Sequence, residues 1–209
     1  MFAAALGPAE VAAWGILGTL WETFETLTEG TADAGEVRCA YHLGAGNPGM
    51  AKLSSFKTIA LNTLVASFST AIFFMLGDDI AVWLTPDPTL QRLIAQLLPL
   101  VGIGNFTLTV GLTSWSMVGA QGRYRLATFV NFMTTWLVTL PLAATFVYAA
   151  NYNLEGIVSA IVVGYSATGT VLLYILLQSD WERLSKCLIE INAAEESSGA
   201  DDSEVEVIV

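Results

Sequence analysis

Trp21-Glu22-Thr23-Phe24-Glu25-Thr26-Leu27-Thr28-Glu29-Gly30-Thr31-Ala32-Asp33-Ala34-Gly35-Glu36 follows directly on an apolar run from Val11 to Leu20. Its acids are spaced three, four, four and three residues apart. At about 100° per helical residue, Glu22, Glu25, Glu29, Asp33 and Glu36 share one helix face within an arc of roughly 80°. A carboxylate near a bilayer centre costs about 2.5–3.5 kcal/mol even on a lenient insertion scale. A spanning segment of this kind must turn its acidic stripe toward water or protein. Acids so placed bind cations or protons.

The rest of the chain gives reason to think of a membrane. Of 209 residues 54% are hydrophobic and only 13% charged, about half the charge of an ordinary soluble domain. The windows Thr58–Leu76, Leu93–Gly122, Leu126–Leu154 and Gly156–Ser179 carry no charge, and each is long enough to cross about 30 Å of hydrocarbon as a helix. The fold expected is an all-α, multi-pass bundle with spans at about 9–34, 53–76, 92–118, 126–150 and 155–178. The connections expected are Glu36–Lys52, Gly77–Gln91 (with Asp78, Asp79, Pro86, Asp87 and Pro88), Gly119–Arg125 and Asn151–Glu155. An interfacial helix over 9–36 is the competing arrangement, but such helices favour basic polar faces.

With five crossings, Arg38, Lys52, Lys57, Arg123, Arg125, Arg183 and Lys186 fall on one side and only Arg92 on the other. The positive-inside rule then predicts a cytoplasmic C-terminus and a non-cytoplasmic Met1. The net charge of −11 owes much to Glu190–Val209, with seven acids and no Lys or Arg. Residues 187–209 accordingly read as a solvated, disordered acidic tail. Trp83 and Trp181 fall at span ends, where interfacial tryptophans are expected.

Cys39 and Cys187 make neither a disulfide framework nor a zinc site, and no basic patch suggests nucleic acid. With one histidine (His42), no metal-ligand cluster, no nucleophile motif and no phosphate loop, an enzyme is not expected. Pro99 and Pro141 should bend their helices. Gly156, Ala160, Gly164 and Thr168 form a smooth packing row.

The segment after the acids reads Val37-Arg38-Cys39-Ala40-Tyr41-His42-Leu43-Gly44-Ala45-Gly46-Asn47-Pro48-Gly49-Met50-Ala51-Lys52. It resembles the multidrug and toxin extrusion (MATE) family, whose loops carry an Arg followed by Leu-Gly-Ala-Gly-Asn-Pro and then Ala-Lys. Here Arg38, Leu43, Gly44, Gly46, Asn47 and Pro48 carry the match. Leu6-Gly7 with Glu10-Val11-Ala12-Ala13 is similar to the family's entry into the second helix of a lobe. Gly119, Gln121, Gly122, Asn131 and Leu140-Pro141 match a later loop and helix, and Ser179-Asp180-Trp181-Glu182 resembles the family's Asp-Trp-Glu after its last helix. The resemblance covers about residues 5–186 and implies a C-terminal lobe, helices eight to twelve of twelve. It implies that an N-terminal lobe and the first helix of this lobe are missing partners. The span 92–118 departs from the family pattern in having no acid, only groups such as Gln96, Asn105 and Thr109, and His42 stands where an acid is frequent.

These readings together imply an antiporter that extrudes organic, often cationic, solutes in exchange for H+ or Na+, with no cofactor beyond that coupling ion. The partners expected are a small organic solute and the lipid bilayer. The residues expected to carry cation or proton exchange are Glu22, Glu25 and Glu29, with Asp33 as outer relay, titrating as a coupled set. Trp21, Phe24, Asn62, Asn105 and Trp115 are candidates to line the substrate path; packing is the competing role for the aromatics and Asn62. The alternative function is a non-transporting membrane fragment that acts only by association with other helices.

Overall fold

The computed structural model describes residues 7–148 and 154–206, with side chains described for 7–147 and 154–194. Its elements are α1 (Pro8–Gly44), α2 (Pro48–Leu84), α3 (Pro88–Ala120), α4 (Tyr124–Thr134), a π-helical turn (Thr135–Thr139), α5 (Leu140–Tyr148), α6 (Leu154–Leu177) and α7 (Trp181–Glu206). The expected all-helical bundle is observed. Residues 1–6, 149–153 and 207–209, which hold the N-terminus, the end of the expected fourth span, most of the expected Asn151–Glu155 connection and the end of the tail, lie outside the described residues.

Among the described residues, four helical stretches are long and apolar enough by composition alone to cross a bilayer: α2, α3, Tyr124–Val147 and α6. The acids of α1 make it less apolar than these four, so its case for spanning rests on packing: α1 lies against both α2 and α3, and α3 lies in turn against α6.

The connections are shorter than expected. Residues 36–44, read as loop, complete α1, because no Gly or Pro interrupts Val37–Leu43 and because Cys39 and Leu43, one turn apart, are fully buried. Only Ala45–Asn47 remains as a turn. Gly46 there has φ +74°, the left-handed region that favours glycine, and Pro48 opens α2 where its missing N–H costs nothing. Asp78 and Asp79 are likewise helical, and the next connection shrinks to Thr85–Asp87. The Asp87 side chain caps α3 by accepting from the Thr89 N–H at 2.8 Å.

Helix irregularities follow local chemistry. The π turn immediately precedes Leu140-Pro141, where the proline ring cannot tolerate a regular preceding turn. It packs closely on α6, since a Cβ at Gly164 would strike the Thr139 side chain. In α2 the break comes at Leu76 (φ −120°, ψ 19°), just before Gly77, a place the prolines did not indicate.

The tail expectation also changes. In place of a disordered extension from residue 187, α7 continues to Glu206. Trp181, Leu184, Ser185 and Leu188 repeat at helical spacing and turn one face onto the bundle. Trp181 is 6% exposed and belongs to the core, not to an interface. The Ser185 hydroxyl donates to the Leu43 carbonyl at 2.6 Å, sharing that acceptor with the Gly46 N–H at 3.2 Å. Trp83, at the other end of the bundle, is 77% exposed, as an interfacial side chain would be.

The core is divided. One apolar cluster gathers Leu17, Trp21, Phe73, Leu97, Leu98 and Val158. The other gathers Cys39, Leu43, Met117, Leu172, Leu176 and Trp181. Between them lies a buried polar layer of Thr28, Asn62, Thr109 and Thr113.

Candidate functional site

The depth of the acids follows from helix register. In α2 the stretch Thr58–Gly77 is free of charge and bounded by Lys57 and Asp78; at 1.5 Å per residue it covers about 30 Å, the thickness of the hydrocarbon layer. α1 runs antiparallel beside it. A Cβ at Gly35 would meet the Thr58 side chain, Thr31 donates to Asn62 Oδ1, and the Phe24 and Phe73 rings stand 5.1 Å apart. The middle of the window, near Ser67 and Phe68, therefore lies level with Glu25 to Glu29. Glu22 and Asp33 fall toward its two edges. The helix continues well past Gly35, so Glu29 lies nearer the centre of this window than its position in the apolar run implies.

Glu25, Glu29 and Asp33 line one cavity of about 310 Å³. Its other walls are Leu108, Gly111, Leu112, Trp115 and Ser116 from α3, Asn131 from α4, and Tyr165 and Thr168 from α6. Helix periodicity explains the α1 wall, since residues four apart stack on one face. On α3, Leu108, Gly111, Leu112 and Trp115 repeat in the same way. Gly111 matters for approach: a Cβ at Gly169 would sit 3.2 Å from the Gly111 Cα, so α3 and α6 cross nearly backbone to backbone here. Thr168 is tied to Thr134 across α6 and α4 at 2.5 Å. Among the described residues, no Lys or Arg lines the cavity. Among the described residues no three His, Cys, Asp or Glu side chains converge as a metal-ligand group.

The remaining candidate residues go elsewhere. Glu22 is exposed on α1 outside the cavity lining. Trp21 is 9% exposed in the first core cluster, edge-on to Tyr165 at 5.9 Å, and Phe24 packs edge-on against Phe73. Asn62 is buried glue: it accepts from Thr31, and its Nδ2 donates to Thr113 Oγ1 at 2.9 Å and to the Thr28 carbonyl at 3.4 Å. Asn105 is 3% exposed with its Oδ1 unpartnered, and it is not in the cavity lining. Trp115 alone of these five is at the cavity, braced edge-on by Tyr124 at 5.4 Å. Arg38 is exposed, and Leu43, Gly44, Gly46, Asn47 and Pro48 build the tight α1–α2 turn at the basic end.

Sequence reading missed Tyr165, Ser116 and Thr168 as cavity residues. Thr168 looked like part of the packing row, and Asn131 entered only as a motif match. The available signal was Tyr165-Ser166, a polar pair in the middle of an apolar span.

Glu36, beyond the charge-free window, is half-buried, and burial together with Asp33 holds its carboxyl above the usual carboxylate range.

The geometry agrees with what comparison with known proteins finds. The family model MatE matches residues 1–145. An uncharacterized transporter of Schizosaccharomyces pombe is 27% identical over 86% of this chain and 33% of its own length. The multidrug and toxin extrusion protein 1 of Homo sapiens is 23% identical over 85% of this chain and 31% of its own. The crystal structure of the eukaryotic MATE transporter AtDTX14 superposes with a TM-score of 0.79 at 18% identity, covering 87% of this chain and 40% of that one. The chain thus spans about a third of the length of the curated relatives it matches. A bundle of apolar helices, the Arg38 to Lys52 motif built into its first turn, and a family model matching more than half its length all lead to one conclusion: the chain is a multi-pass membrane protein and belongs to the MatE family.

Proposed function

We propose that this chain forms the carboxylate-bearing part of a transmembrane antiporter that extrudes organic, often cationic, solutes in exchange for H+ or Na+. Its basic end and C-terminus face the cytoplasm in this reading. The observation that supports it most is the cavity that gathers Glu25, Glu29 and Asp33 near mid-depth, opposite Trp115 and Tyr165. Ionised, the carboxylates attract a cationic solute, and the aromatic rings offer it their faces. A proton or Na+ taken up in the opposite facing of the transporter competes for the same carboxylates and releases the solute. Such competition is what thermodynamic coupling requires.

The test is efflux of a fluorescent organic cation from proteoliposomes, driven by an imposed pH or Na+ gradient. The full-length protein should transport under one of these gradients, and Glu25→Gln with Glu29→Gln should abolish coupling while the protein remains folded. Unchanged gradient-driven efflux in that double variant would remove the carboxylates from the mechanism. The residues 1–209 alone are expected to show no efflux, because they span a third of their relatives; transport by them alone would refute the view that other segments are required.

A further inference from the structure

The three acids of the cavity stand in a line, not around a point. Glu25, Glu29 and Asp33 follow one another at four-residue steps of α1, about 6 Å of helix rise per step and about 12 Å in all. Among the described residues, no such group converges to hold a single metal ion. The opposite wall keeps the same step. A Cβ at Gly104 would lie 2.7 Å from the Trp21 ring, and the Thr28 and Thr109 hydroxyls meet at 3.3 Å, so α1 and α3 run side by side in the same direction. Leu108, Leu112 and Ser116, all in the cavity lining, then follow at the levels of Glu25, Glu29 and Asp33.

The charges call for a ligand of the same form. Carboxyls crowded into one poorly solvated space cannot all be ionised without cations beside them. Among the described residues the lining brings no Lys, Arg or His, and Tyr165 is its only other titratable group. A compact monovalent cation answers one carboxylate and leaves two. Ser116 is an independent sign that polar ligand atoms belong here. It is 1% exposed and lines the cavity, and its hydroxyl has no hydrogen-bond partner among the described residues. A buried hydroxyl left unpaired costs free energy; an N–H group arriving beside Asp33 supplies what it lacks.

We propose that the cavity takes a linear polyamine: an unbranched alkyl chain whose two or three ammonium groups lie along α1 on Glu25, Glu29 and Asp33. Four extended methylenes set two amines about 6 Å apart, the rise of four helical residues. Each ammonium donates to one carboxylate, and the last donates also to Ser116 Oγ. The methylenes between them rest on Leu108 and Leu112. Protons held by the carboxyls of the empty cavity leave as the ammonium groups arrive, so charge balances without a fixed cation in the wall. The proposal rests on the antiporter reading for transport of this solute, and on the cavity alone for its binding.

Binding is tested on the full-length protein in nanodiscs at one fixed neutral pH, by displacement of radiolabelled spermidine, a linear triamine. Spermidine should bind about tenfold more tightly than 1,4-diaminobutane, and that diamine about tenfold more tightly than butylamine, each step being one hydrogen bond between charges. Tris(2-aminoethyl)amine, which carries three charges on a branched frame, should bind about tenfold more weakly than spermidine. Asp33→Asn should lower spermidine affinity about tenfold, to that of the diamine, while retained diamine binding shows that the variant is folded. Ser116→Ala should cost spermidine severalfold and the diamine little. Asp79→Asn, at an exposed acid near the end of α2, should change neither. No displaceable spermidine, equal affinity for the linear and branched triamines, or equal losses in Asp33→Asn and Asp79→Asn would overturn the proposal. Gradient-driven efflux of a fluorescent organic cation without any of this preference leaves the antiporter standing and removes the polyamine. Graded polyamine binding with no gradient-driven transport of any solute supports the ligand and counts against the antiporter instead.

Discussion

α1 and α2 are the same length, 37 residues each, run antiparallel in contact, and yet expose opposite chemistry. The outward face of α2 is Leu61, Leu64, Phe68 and Met75, between 55% and 82% exposed. That of α1 over the same depth is Glu22, Thr23, Thr26, Glu29, Gly30 and Asp33. An apolar face at hydrocarbon depth is at rest against acyl chains; a face of hydroxyls and carboxylates is not. The pair teaches that exposure in a membrane protein has two meanings, and the residue types say which applies. In the antiporter reading proposed above, α2 is a wall toward lipid and α1 a wall toward a wet interior.

Exchanging the chemistry of the two faces should break this contrast most severely. Phe68→Glu puts a charge on the lipid side at mid-depth and should cost about 2.5–3.5 kcal/mol of insertion, seen as a collapse of monodisperse membrane-extracted protein in size-exclusion profiles. Glu29→Leu, at the matching depth on α1, should leave that profile intact. A normal profile for Phe68→Glu would mean that α2 does not face lipid.

A second expectation concerns the seam between the two helices. Asn62→Ala removes the hydrogen bonds to Thr31, Thr113 and the Thr28 carbonyl; Thr31 and the Thr28 carbonyl keep their bond to each other, and the buried Thr113 hydroxyl loses its partner. The melting midpoint in detergent should fall by an amount corresponding to about 1–3 kcal/mol. Because Asn62 is outside the cavity, transport by the protein that survives should keep its KM.

At the basic end, Ser185→Ala deletes the bond to the Leu43 carbonyl, worth about 0.5–1.5 kcal/mol. Limited proteolysis should then cut more readily within α7, with little change in the bundle.

The smallest perturbation is chemical. Burial, with Glu36 adding, pushes the Cys39 thiol up to about 12, whereas Cys187 is exposed. At neutral pH, maleimide should modify Cys187 and spare Cys39, because only the thiolate reacts. Cys39 should label only when the pH approaches 12 or the bundle opens. Rapid labelling of Cys39 in the folded protein would show that the α1 end is not packed under α7.

What could be read without coordinates was whatever depends on one-dimensional pattern. Four charge-free windows, the three- and four-residue spacing of Glu22 to Glu36 and the Arg38 to Lys52 motif specified a helical membrane bundle, an acidic stripe and a family likeness. These are local properties: length, periodicity and charge act on each helix separately. The ends of helices were less legible, since a membrane-width argument stops α1 near residue 34, while buried Cys39 and Leu43 carry it to Gly44.

Only the tertiary structure decided which side chains meet. Register against α2 set Glu25 and Glu29 level with the middle of its charge-free window, and Glu22 fell outside the cavity lining. Helix crossings at Gly111 and Gly169 brought Tyr165 and Thr168 to the same space, and Asn62 proved to be a joint between helices. The reason is physical: a helical pattern states which residues share a face, but the partner of that face is chosen by close packing between helices, through contacts as specific as Gly104 under Trp21.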